Sequence, residues 1–273
     1  MKGMRLMKHS ITSLAAIGFV ALMSQSASAT ETLKIGTDLT YPPYNYLDGK
    51  DAAGFDAEFM RLITKEMSAT PTFMDTRFAN LIMGVNLKQF DVIASTLYVT
   101  PERAKQIEYI PYMTTGGVLL ALKGGSFKPQ KPEELCGKKV SSIQSAAWIS
   151  KLKIVSETYC AKQGLAAIDV REFPTSPEAS QAVLSHAVDA QFEDAGVAKA
   201  AADKSGKLTL TSNIIYPVVV GLAVKKGNTE LAQSLKSAIS KAETTPEYKS
   251  LLAKYSVATP SEAEITAALN GTL

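Results

Sequence analysis

Arg103 is the residue from which chemistry can first be argued. It lies in Thr100-Pro101-Glu102-Arg103, shortly after the apolar run Asp91-Val92-Ile93-Ala94 and the hydroxyl residues Ser95 and Thr96. Threonine before proline opens a helix, because threonine caps free N–H groups and proline suits the first helical position. The spacing therefore predicts a buried strand ending near Ala94 and a helix starting at Thr100, with Arg103 in its first turn. Open α/β sheets bind ligands just beyond the carboxyl ends of their strands. A cation at a helix N-terminus opposes the helix dipole, so its presence fits a site that receives an anion such as a carboxylate. A surface arginine making local contacts is the other reading of the same residues.

The elements that must position Arg103 follow from periodicity. Leu33–Thr37 reads as a first strand, and the two prolines of Asp38-Leu39-Thr40-Tyr41-Pro42-Pro43-Tyr44 make the next stretch a rigid loop. Tyr41 and Tyr44 would face the same crevice as Arg103, as platforms for a ligand or as packing on the lobe. Phe55, Phe59, Leu62, Ile63 and Met67 recur at helical spacing. Asp56 and Glu58 fall in that helix's first turn, a structural placement. Strands over 71–75 and 91–94, with a helix between, complete a β-α-β-α-β series, the doubly wound pattern.

A second α/β series starts near Lys131. It has a strand over 139–143, a helix over about 145–163 bearing Trp148, a strand over 166–172, a helix over 176–187 and a short strand over 189–192. Asp194 caps the helix that follows. Two long apolar runs, 107–122 and 216–225, would carry the chain between the series, with Gly116 and Gly117 easing a hinge. The expected fold is α/β and two-lobed, each lobe a sheet flanked by helices. Lobe 1 comprises 30–116 and 219–273, and lobe 2 comprises 117–218. The loops bearing Tyr41, Arg103, Gln144-Ser145 and Asp194 should converge on the cleft between them.

Residues 1–29 read as a secretory leader. Lys2, Arg5 and Lys8 form its basic region, Ile11–Met23 its apolar core, and Ala27-Ser28-Ala29 a cleavage site, so export with cleavage after Ala29 is expected. The leader holds three basic residues and no acid. Its loss lowers the 29 basic residues to 26, equal to the 26 acidic ones. No basic field remains for nucleic acid or a membrane surface. Cys136 and Cys160 are the only cysteines, and an exported chain makes one disulfide the expected use of them. Two cysteines alone make no zinc site, and His186 is the only histidine after the leader. No cofactor and no metal are expected.

Three segments together resemble the family 3 bacterial extracellular solute-binding proteins: GTDLTYPPYNYLDG with AGFDAEFMRLI, then IASTLYVTPERAKQIEY, then the aspartate of DAQFEDAGVAKA. The resemblance covers essentially the whole chain after the leader. It implies a type II periplasmic-binding-protein fold, a monomeric periplasmic receptor for an amino acid or similar zwitterion, and an ABC permease as partner. By the same resemblance, Arg103 clamps the ligand carboxylate and Asp194 takes its α-ammonium. Ser95 and Thr96 surround both groups, Tyr41 stacks on the ligand, and Asp38 meets the ligand side chain or braces its loop. Two positions depart from the family's pattern. Tyr98 stands where a small residue is usual. Ser145-Ala146-Ala147 stands where a hydroxyl is expected at Ala147. Tyr98 pointing inward would add an aromatic wall and reduce volume. With Tyr41 and Trp148 it could face a methylated or cyclic ammonium. The rival classes are a cyclohexadienyl dehydratase-like enzyme on the same fold, with Glu193 as its general acid, and a soluble receptor serving a signalling partner. On an ideal strand Glu193 should point away from Asp194.

Overall fold

The computed structural model describes Met1 and residues 31–273. The rest of the expected leader and its cleavage point lie outside the described residues. Among them, no helix is long and apolar enough to cross a membrane.

Strand Glu31–Thr37 pairs in parallel with Ala69–Asp75 on one side and Val92–Ile93 on the other. The loops that leave these strands therefore emerge from one edge, which is how parallel sheets gather functional loops. Helix Phe55–Glu66 covers this sheet. Of the residues at helical spacing, Phe55, Phe59 and Ile63 are buried and Leu62 and Met67 are half-buried, while Met60 is buried as well. Phe59 stacks on Tyr112 with ring centroids 4.7 Å apart. In the second half, Lys139–Ile143 runs parallel to Asp169–Phe173 and to Ala190–Asp194, so its loops also share one edge.

Two long strands join the halves. Ile107–Leu122 and Tyr216–Lys225 pair antiparallel from Tyr216↔Gly117 to Lys225↔Ile107, with a register shift between Val220 and Gly221. Ala190–Asp194 and Leu208–Leu210 attach to the far end of the first of these strands. The result is a mixed α/β, two-lobed molecule whose sheets meet through shared strands. Gly116 and Gly117 lie inside the pairing and not in a break. Their lack of a side chain is a packing requirement. A Cβ on Gly116 would strike Ile214 and the Tyr216 carbonyl, and one on Gly117 would strike the Phe192 ring.

Several boundaries differ from expectation. The rigid loop contains a two-residue strand, Thr40–Tyr41, which joins Asn45–Asp48 and Asp51–Ala53 in a small separate sheet. The helix expected from Ser145 starts at Trp148, because Ser145 takes a left-handed backbone (φ 63°). It passes into a π-helical turn at Ser156–Cys160. The strand expected at 166–172 spans Asp169–Phe173. The helix expected to reach residue 187 ends at Leu184, just before His186 (φ 59°). The strand expected at 189–192 extends to Asp194.

Cys136 and Cys160 form a disulfide across a separation of 24 residues. It ties the lead-in to strand Lys139–Ile143 to the end of the helix that starts at Trp148. Closing a loop of this length restricts the unfolded chain and contributes about 3 kcal/mol. Replacing both cysteines by alanine should lower the unfolding free energy by about that amount in urea titrations. An unchanged midpoint and slope would mean that the bridge contributes no stability.

Candidate functional site

Arg103 stands where the sequence spacing puts it. The side chain of Thr100 accepts a hydrogen bond from the Arg103 backbone N–H, and Pro101 opens the helix Pro101–Ala104. The guanidinium then turns toward the cleft. Its Nη1 donates to the Tyr98 carbonyl at 2.9 Å, and its Nη2 donates to the Ser145 carbonyl at 2.8 Å. Its carbon lies 5.4 Å from the centre of the Phe78 ring. Among the described residues no carboxylate lies in salt-bridge range of it. Arg103 thus holds two neutral carbonyls, one from each side of the cleft, and keeps its charge for something else.

Asp194 closes strand Ala190–Asp194 and caps helix Ala195–Ser205 by accepting from Gly196 N. It is fully buried. Its Oδ2 accepts from the Tyr98 hydroxyl at 2.5 Å and from the Thr115 hydroxyl at 2.8 Å. Burial pushes its carboxyl above the usual carboxylate range, and these donors pull it back. The Tyr98 hydroxyl is driven well above its ordinary value by burial and by the Asp194 charge. Tyr98 therefore points inward, and its hydroxyl occupies the carboxylate that the resemblance reserves for an ammonium.

Glu193, expected to face away, is also fully buried. It accepts from the Tyr41 hydroxyl at 2.6 Å across the cleft, from Ser176 and Gln191 on its own side, and from the Asp194 backbone N–H. Burial pushes its carboxyl up to about 7. Strand alternation holds here: Glu193 shares one face of the strand with Gln191, two residues back, while Asp194 bonds Tyr98 and Thr115 on the other. Spacing gave no sign of Glu193's partner, which lies 152 residues away.

The remaining candidates divide. Tyr41, Thr96, Tyr98, Arg103 and Ala147 line one small cavity of about 20 Å³, together with Phe78, Ile143, Ala146 and Trp148. Asp38, Ser95, Ser145 and Asp194 do not line it. Asp38 braces its loop. It accepts from the Thr40 N–H and hydroxyl, from Phe78 N and from Arg77 at 2.9 Å. The Ser95 hydroxyl accepts from Asp38 N. Thr96 is tied through its N–H and hydroxyl to the buried Asp56, which also holds Tyr112 and Asn45. Ser145 contributes its carbonyl and not its side chain. Phe78 and Thr115 are the site residues that sequence reasoning missed. Both are placed by long-range packing that no local pattern reports.

Comparison with known proteins shows the family and the fold. The family model for bacterial extracellular solute-binding proteins, family 3, matches residues 33–258. The L-arginine-binding protein of Pseudomonas aeruginosa is 26% identical over 254 residues, covering 89% of this chain and 94% of its own. The L-cystine-binding protein TcyJ of Escherichia coli is 25% identical over 272 residues, covering 93% and 97%. Among solved structures, an ancestral arginine-binding protein bound to arginine superposes with a TM-score of 0.76 at 27% identity, covering 82% of this chain and 97% of that one.

Glu193 gives the site a pH signature. Its carboxyl titrates near 7 in the fold against 4.5 for the free group. Its contribution to stability is therefore complete below about pH 4.5 and is lost as pH rises through about 7. The loss is on the order of 3 kcal/mol. Asp194, Tyr41, Ser176 and Gln191 face it and are unchanged in sequence in Glu193→Gln. Thermal unfolding between pH 4 and 8 should show the wild type losing stability relative to Glu193→Gln across this window. Parallel curves would show that burial does not shift Glu193.

Proposed function

The chain belongs to the bacterial extracellular solute-binding proteins of family 3, and on that footing we propose that it captures an amino acid or amino-acid-like zwitterion for an ABC importer. The observation that carries this reading is Arg103. A guanidinium beside a cavity between two lobes, bonded only to carbonyls, suits a carboxylate that arrives from outside. Relatives named for L-arginine and L-cystine support the amino-acid class.

Export with cleavage after Ala29 delivers the chain to the periplasm. Lobe 1 comprises 30–116 and 219–273, and lobe 2 comprises 117–218. Ligand enters between them and bonds first to one lobe. Closure then joins Tyr41 to Glu193, Tyr98 to Asp194, and Arg103 to the Ser145 carbonyl. The permease recognises the closed form, and the receptor acts as a monomer. Asp38 and Ser95 shape the Tyr41 loop, and Ser145 and Ala147 form the opposing wall. The protein binds its ligand without transforming it. Glu193, whose carboxyl burial pushes up to about 7, does not line the cavity, so a proton on it lacks a direct route to a ligand.

Thermal-shift screening of refolded protein against the L-amino acids and their derivatives should find a stabilising ligand. At a hundred times its dissociation constant that ligand adds about 2.7 kcal/mol. Arg103→Ala should weaken the ligand at least tenfold in calorimetry. Arg103→Lys should recover only part of the loss, because an ammonium cannot reproduce the planar fork. Asp194→Ala, which releases Tyr98, should also lose at least tenfold. Wild-type affinity in Arg103→Ala would remove the assigned carboxylate site.

A further inference from the structure

The identity of the ligand's nitrogen can be read from the wall that faces it. The cavity beside Arg103 is bounded by four aromatic rings: Tyr41, Phe78, Tyr98 and Trp148. Arg103 is the only charged side chain in that wall. Phe78 is engaged by the guanidinium, which leaves three rings for a ligand. Tyr98 and Trp148 meet edge to face with centroids 5.6 Å apart. Ala146 and Ala147 bring no polar side-chain atom, and the Thr96 hydroxyl is already bonded to Asp56 and Asn45.

The two carboxylates of the site stand behind these rings. Tyr41 donates to Glu193 and Tyr98 donates to Asp194, and neither acid reaches the cavity. A primary ammonium placed here would bring N–H donors to a wall that offers hydroxyl oxygens but no carboxylate, and leaving any of them unpaired is costly. A fully methylated ammonium has no N–H to satisfy. Its charge is spread over methyl groups, which the negative faces of aromatic rings attract. Each phenol that donates to a carboxylate is polarised toward greater electron density, which strengthens that attraction. Tyr98, Ala147 and Trp148 also wall a neighbouring cavity of about 220 Å³, which Tyr41 and Arg103 do not line.

We infer that the ligand is a betaine, a zwitterion whose nitrogen carries no N–H, with its carboxylate on Arg103 and its quaternary ammonium against Tyr41, Tyr98 and Trp148. This rests on the reading that Arg103 receives the ligand's carboxylate. In it, Tyr98 is the specificity-determining residue. Its hydroxyl satisfies Asp194 in the closed form, and its ring takes over the recognition of positive charge.

The test is calorimetry on the refolded protein with matched ligands. The trimethylated forms of glycine and alanine and the dimethylated form of proline are each compared with the parent amino acid. The neutral isostere 3,3-dimethylbutanoate is compared with trimethylglycine. At least one betaine should bind tenfold or more tighter than its parent, and the isostere should bind at least tenfold weaker than trimethylglycine. Trp148→Leu should weaken the betaine at least tenfold and change the isostere less than threefold. Equal affinity for the isostere would overturn the inference, because the rings would then be reading shape and not charge. Binding of an N–H amino acid more tightly than its methylated form would also overturn it, and would leave the binding-protein reading standing. Failure of every amino acid and every betaine to bind would overturn both.

Discussion

Three carboxylates, Asp56, Glu193 and Asp194, are buried at the centre of this molecule, and hydroxyl and amide donors are the partners that satisfy them. Among the described residues none forms a salt bridge. A buried charge without such partners would be strongly destabilising. The surrounding structure follows from supplying them. Tyr112 is held on Asp56 and stacks under Phe59, which fixes the first helix on its sheet. Thr96 is held in a left-handed backbone by the same carboxylate, which turns the chain toward Tyr98. Tyr41 and Tyr98 are then directed across the cleft to the other two acids. Gly196 is required at the start of its helix because a Cβ there would strike the Tyr44 hydroxyl.

This arrangement separates two tasks that one carboxylate often combines. Tyr41 donates to Glu193 and Tyr98 to Asp194 across the cleft. In the proposed closure these bonds form as the lobes meet, and the proposed ligand meets the other faces of the same phenols, so the two tasks would use different parts of each side chain. Arg103 is the corresponding element for negative charge. It bridges the lobes through carbonyls and retains donor capacity.

Much of this was legible in the sequence where the cause is local. Thr100-Pro101 announced the helix that places Arg103, and Ser176-Pro177 announced another, with Thr175 as the observed cap. The cysteine pair and the two long crossing strands were read correctly. Asp38 shows where local reading stops. Whether it met a ligand or braced its loop depended on Arg77 and Phe78, which reach it only once two parallel strands are side by side. Glu193 does face away from Asp194, as alternation requires; what the local pattern did not report is that this second face also meets Tyr41 across the cleft. The inward aim of Tyr98 was stated only as a condition, since a side chain's direction in a loop is set by what it bonds, here Asp194.

The paired strands Ile107–Leu122 and Tyr216–Lys225 belong to both lobes, and their ladder is continuous apart from the shift at Val220/Gly221. Such a ladder resists sliding, because slippage by one residue would turn every side chain to the wrong face. It tolerates bending and twisting. In the proposed closure such a ladder would confine the lobes largely to one angle. A partner touching one point on each lobe would sense the same angle wherever those points lie. The state of a buried site can in this way be displayed across a wide outer surface without any residue of that site being exposed.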